Sequence, residues 1–104
     1  MEKQQLLSEI KNLVLQQEPN AEVILYGSYA RGDFKEDSDV DILILLKKEK
    51  ISYDDEKRIS YPLYALGFKT GQLISPLILP KKNWETKFKV TPLFENIQKE
   101  GKLL

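Results

Sequence analysis

A chain of 104 residues is long enough for one domain around one small core and too short for a second lobe, so residues 1–104 are expected to fold as a single unit. A hydrophobic content of 41% excludes a disordered chain, and sixteen basic against sixteen acidic residues leave no net field to draw it to nucleic acid or an anionic membrane. With no cysteine and no histidine, disulfides, thiol chemistry and the commonest general base and zinc ligand are excluded, and carboxylates remain for metal chemistry.

The opening "MEKQQLLSEIKNLVLQQEPN" lacks the apolar run of a signal peptide, and no stretch approaches the roughly 20 apolar residues of a membrane span. A cytoplasmic protein is the expectation. Leu6, Ile10, Leu13 and Val14 share one helical face, which predicts an amphipathic helix over residues 2–17. "EVILY" predicts a buried strand over 22–26, stopped by Gly27, and "SYARGD" leaves room for one or two helical turns. "DVDILILL" predicts a second strand, followed by the charged loop "KKEK", read as solvated.

Residues 54–69 read as a helix, with Asp54 and Asp55 suited to its first turn and Pro62 predicting a kink or a break. Its aromatic residues Tyr61, Tyr64 and Phe68 are assigned to the core. "GQLISPLIL" predicts a third strand, and Pro76 places it at a sheet edge or a bulge. "PKKNWETKFK" and "PLFENIQKEG" then predict two short helices, the first packing Trp84 and Phe88 inward with its lysines outward. Strands alternating with helices in this order predict a small α/β domain whose sheet is covered by helices.

Asp39 and Asp41 stand one residue apart in a strand and so project from one face. Two such carboxylates repel, and a divalent cation relieves them; magnesium suits best, since it takes oxygen ligands and often only one or two carboxylates beside substrate phosphates. Earlier in the chain, Gly27 and Ser28 join a strand to a helix start, where a glycine permits close approach and leading amides face outward. Arg31, about one turn on, either reaches the same anion or pairs with Asp33 or Asp37 at the surface. A phosphate seat beside a pair of metal-binding acids could hold a metal–nucleoside triphosphate.

Gly27-Ser28, ten intervening residues, then Asp39-Val40-Asp41 resembles the signature of the DNA polymerase β-like nucleotidyltransferase superfamily. "GSYARGDFKEDSDVDILILL", the short length and the "NIQKEG" ending are similar to the minimal nucleotidyltransferases, antitoxin partners of HEPN-domain toxins. The resemblance implies a small mixed sheet of the polymerase palm type, Gly27 and Ser28 on the triphosphate of ATP, and Asp39 and Asp41 on Mg²⁺. It further implies transfer of AMP to a hydroxyl, with a tyrosine of a HEPN-type partner as one acceptor. The family's third acid is expected on "GQLISPLIL", which contains neither Asp nor Glu; Ser75 or Ile74 falls nearest that place, with Gln72 close by. Glu85, Glu95 or a partner's carboxylate are the candidate substitutes. The alternative reading is a degenerate member that neutralises its partner by contact, and an RNA-binding role for the Lys-rich C-terminal helices is disfavoured by the zero net charge.

Overall fold

The most apolar segment of the chain, "VDILILL", becomes an inner strand of the sheet. In the computed structural model, which describes residues 1–35 and 37–104, the order is α1 (Lys3–Gln17), β1 (Glu22–Tyr26), α2 (Ser28–Arg31), β2 (Val40–Leu46), α3 (Tyr53–Thr70) and β3 (Ile74–Pro80). There follow α4 (Lys81–Thr86), a 3-10 turn (Phe88–Val90), α5 (Pro92–Glu100) and the two-residue β4 (Lys102–Leu103). The strands lie in the order β3-β2-β1-β4. β2 runs antiparallel to β1 and parallel to β3, with α3 as the crossover that a parallel pair requires. The fold is thus a mixed α/β sheet covered by helices.

Alternation along β2 serves two apolar clusters, one on each face, where length alone implied one core. Val40, Ile42, Ile44 and Leu46 join Leu6, Ile10 and Val14 of α1 and Ile59, Leu63 and Leu66 of α3. On the other face Leu43 and Leu45 meet Trp84 and Ile97, with Leu77, Phe88 and Phe94 packed around them. Trp84 is buried as its sequence context predicts, although the helix carrying it ends at Thr86 and Phe88 opens the 3-10 turn.

Ser52 caps α3: its hydroxyl accepts from the Asp55 amide at 3.0 Å, and the Asp55 carboxylate accepts from the Ser52 amide at 3.1 Å. The helix continues through Pro62 without a break, held by the buried stripe Ile59, Leu63, Leu66 and Gly67. That stripe corrects the sequence reading of the aromatics. Tyr61, Tyr64 and Phe68 fall on the outer side of α3, and Phe68 is 95% exposed. "KKEK" is not wholly solvated either: Lys48 Nζ donates to Asp55 at 2.9 Å and pairs with Glu18 at 3.2 Å, while Arg58 bridges the same two carboxylates at 2.8 Å each.

β3 lies at the sheet edge, where Pro76 is tolerated, but begins at Ile74 because Gly71 ends α3 in the left-handed conformation. β4 pairs antiparallel with β1 and had no sequence signal beyond two residues after Gly101.

Candidate functional site

Where β1 ends, the chain turns at Gly27 with φ 76° and ψ −158°, a conformation essentially restricted to glycine. Its carbonyl accepts from the amides of Ala30 and Arg31 at 3.0 and 3.1 Å, so Ser28 and Tyr29 head the short α2. The turn is braced from three directions. The Tyr29 hydroxyl donates to Gln72 at 2.7 Å, its ring stacks on Phe34 with centroids 4.3 Å apart, and Lys3 Nζ donates to its carbonyl at 3.0 Å.

Asp39 stands exposed just before β2, and Asp41 is half-buried as the second residue of the strand. The Val40 amide between them donates to the Leu73 carbonyl at 2.8 Å, which fixes the start of the strand. A Cβ on Gly27 would run into the Asp41 carboxylate, so the glycine turn and this acid are in immediate contact. Burial, reinforced by the Asp39 charge, pushes the Asp41 carboxyl above its usual range, while Arg31 opposes the shift. Two oxygen-donor carboxylates under mutual repulsion are a donor set that a hard divalent cation fits.

Gly27, Ser28, Asp39 and Asp41 therefore gather at the adjoining ends of β1 and β2. Arg31 lies one turn along α2 with its guanidinium engaged: Nη1 donates to both oxygens of Glu100 at 3.1 and 3.2 Å, and Nε donates to Asp33 at 3.3 Å. The Asp33 pair was legible in the sequence; Glu100, at the end of α5, was not.

Two residues that sequence reasoning left aside or unresolved share this face. Tyr26 is the cross-strand partner of Asp41, and burial together with the Asp41 charge raises its phenol above the ordinary value. Ser75 is the partner of Asp41 on the other side, and its hydroxyl donates to Asp39 at 3.5 Å. Of the two residues nearest the expected third-acid place, Ser75 faces the acid pair and Ile74 points into the α1–α3 core. Among the described residues no three acidic side chains converge. Glu85 sits on α4, beyond the far end of β3, and Glu95 pairs with Lys99 at 3.3 Å, so neither joins the pair.

A strand, glycine turn and helix start set against a strand that opens with two acids defines a nucleotidyltransferase-type site. Residues 7–100 match the family model described as "Nucleotidyltransferase domain", and the chain belongs to that family. It is 47% identical over 66 residues to "Putative protein adenylyltransferase MJ0141" of Methanocaldococcus jannaschii, a match covering 64% of this chain and 65% of that protein. Over 23 residues it is 70% identical to "Putative protein adenylyltransferase MJ0604" of the same organism, covering 22% of this chain and 23% of the relative. The matches thus span less than two thirds of the length of each of these relatives. A crystal structure described as "a putative nucleotidyltransferase from Sulfolobus solfataricus" superimposes with a TM-score of 0.59 at 26% identity, over 95% of this chain and 76% of that one. No helix among the described residues is long and apolar enough to cross a membrane.

Proposed function

We propose that the chain is an adenylyltransferase that moves AMP from ATP to a hydroxyl of a protein acceptor, with a tyrosine of a HEPN-type toxin as the leading candidate. The observation that supports this reading is the contact between the Gly27 turn and the Asp41 carboxylate, the residues proposed as phosphate seat and cation clamp. The names of the two relatives support the same class of acceptor.

In this reading the Gly27-Ser28 turn approaches the triphosphate through its backbone, and the Ser28 hydroxyl supplies one further hydrogen bond. Asp39 and Asp41 hold Mg²⁺, which supplies charge neutralisation at the phosphates. The acceptor oxygen bonds to the α-phosphorus, the α–β bridging P–O bond breaks, pyrophosphate leaves and the hydroxyl proton passes to solvent.

The direct test is isothermal titration with a non-hydrolysable ATP analogue, with and without magnesium, on wild type and on the Asp39→Asn/Asp41→Asn double variant. Binding that needs both the ion and the acids is the expected result; equal binding by the double variant sinks the proposal. Ser75 near the expected third-acid place favours a second reading, a chain that neutralises its partner by contact alone. That reading requires full neutralisation of a co-expressed partner by the double variant.

A further inference from the structure

Among the described residues the acid pair has no third carboxylate beside it, and a serine stands where the resemblance places one. Ser75 faces Asp41 across the parallel β2–β3 ladder and reaches Asp39 only through a long contact of 3.5 Å. Among the described residues no other side chain fills the gap: Gln72 already accepts the Tyr29 hydroxyl, and no third acid converges on the pair. A serine there, half-exposed on an edge strand flanked by β2 alone, leaves room for a carboxylate arriving from outside. The adjoining Leu73, 62% exposed, offers apolar surface beside that approach.

We propose, on the basis of the nucleotidyltransferase reading above, that the missing carboxylate is carried by the acceptor: the modified protein presents an Asp or Glu beside the hydroxyl that receives AMP, and this acid fills the place opened by Ser75. Two carboxylates are enough for the ion that accompanies a triphosphate, since magnesium is commonly held by one or two acids plus phosphate oxygens. Activating the attacking hydroxyl is a separate task, and a positioned base is worth about 10²–10⁴-fold. In this arrangement the acceptor oxygen bonds to the α-phosphorus and pyrophosphate departs, while the hydroxyl proton passes to the incoming carboxylate and then to water. The chain alone binds nucleotide and holds it unreacted. Selectivity for acidic acceptors follows from the same vacancy in its donor set.

Two measurements test this. Manganese titration monitored by electron paramagnetic resonance, in the presence of the ATP analogue, counts divalent ions without reference to activity: wild type is expected to hold one per chain and Ser75→Asp two. Separately, wild type is incubated with ATP and pairs of tyrosine or serine peptides that differ only in a glutamate next to the hydroxyl. Adenylylation read by mass spectrometry is expected to favour the acidic member by at least about 100-fold. Ser75→Asp should narrow that gap by modifying the neutral peptide. Two ions in wild type, equal modification of both peptides, or modification of neither overturns the proposal while leaving nucleotide binding intact. Failure of the analogue to bind at all overturns the adenylyltransferase reading itself, and this inference with it.

Discussion

Arg31 Nη1 lies 3.1 and 3.2 Å from the two carboxylate oxygens of Glu100, tying α2 to the end of α5. The pairing raises the guanidinium above its ordinary value, through Glu100 first and Asp33 second, and occupies a cation that stands one helical turn from the proposed phosphate seat. Glu100→Gln should therefore free Arg31 for phosphate and tighten binding of the magnesium–ATP analogue modestly, by about a few-fold, since exposed pairs contribute little. Titration calorimetry reads the affinity, and thermal melting should show little change. An unaltered affinity would make Arg31 a brace between helices and nothing more.

Gly27 and Gly71 both have φ of 76° but differ in what surrounds them. At Gly71 a side chain would meet open space, so Gly71→Ala costs the left-handed backbone alone, about 1–2 kcal/mol. At Gly27 the backbone is rarer and the added methyl displaces the Asp41 carboxylate as well. Gly27→Ala should be the more destabilising in urea titrations and should also abolish nucleotide binding, which Gly71→Ala preserves.

The sign of the Asp41 shift bears on stability. Its folded carboxyl is raised by burial and by Asp39, so at neutral pH the charged form is penalised in the folded state relative to the unfolded chain. Removing that charge should raise Tm in the absence of ligand. Asp41→Asn is accordingly expected to melt higher than wild type without nucleotide and to gain no further stabilisation from magnesium and ATP analogue. Differential scanning fluorimetry distinguishes this from a variant that melts lower in both conditions.

On α3 the inner and outer faces predict opposite outcomes. Leu63 is fully buried, and Leu63→Ala should cost about 2–5 kcal/mol. Phe68→Ser, at a position 95% exposed, should stay within about 0.5 kcal/mol of wild type. Equilibrium unfolding of the two variants measures both, and a large loss at Phe68 would contradict the assigned helix face.

The Glu18–Lys48–Asp55–Arg58 cluster gives the fold an acid limit. Burial alone would raise the Glu18 carboxyl, but hydrogen bonds from Arg58 and Lys48 bring it below its ordinary 4.5. Lys48, the Ser52 amide and Arg58 hold Asp55 well below its ordinary 3.8. Both carboxyls are depressed on folding, so their contribution is complete above about pH 5 and is lost as the pH falls through 4.5 toward the lowered folded values. Arg58→Met should flatten the fall of stability between about pH 5 and pH 2 relative to wild type. Urea midpoints measured at a series of pH values would show it.

Periodicity made the strands, the amphipathic α1 and the paired acids legible, because Asp39 and Asp41 flank Val40 ahead of the unbroken apolar run from Ile42 to Leu46, and Gly27 interrupts another apolar run. What escaped was set by tertiary context. Tyr61, Tyr64 and Phe68 have core-like side chains, but the phase of α3 is decided by Ile59, Leu63 and Leu66 against the sheet. The pairing of Glu100 with Arg31 spans 69 positions and depends on where α5 is laid, which no local pattern encodes. Ser75 was legible only to within one residue, since the choice between it and Ile74 rests on the parallel register of β3 with β2.

β2 is anchored along its whole length. From Val40 to Leu46 it is gripped by the apolar clusters on its two faces, and Asp41 is flanked by Tyr26 and Ser75 on the neighbouring strands. The repulsion between the two acids is borne by a strand that can bend little, because the buried residues around it have nowhere to move. Substitutions on the outer surfaces of the covering helices leave the grip unchanged, so the sequence of those surfaces is free to drift toward new partners while the geometry of the acids stays fixed.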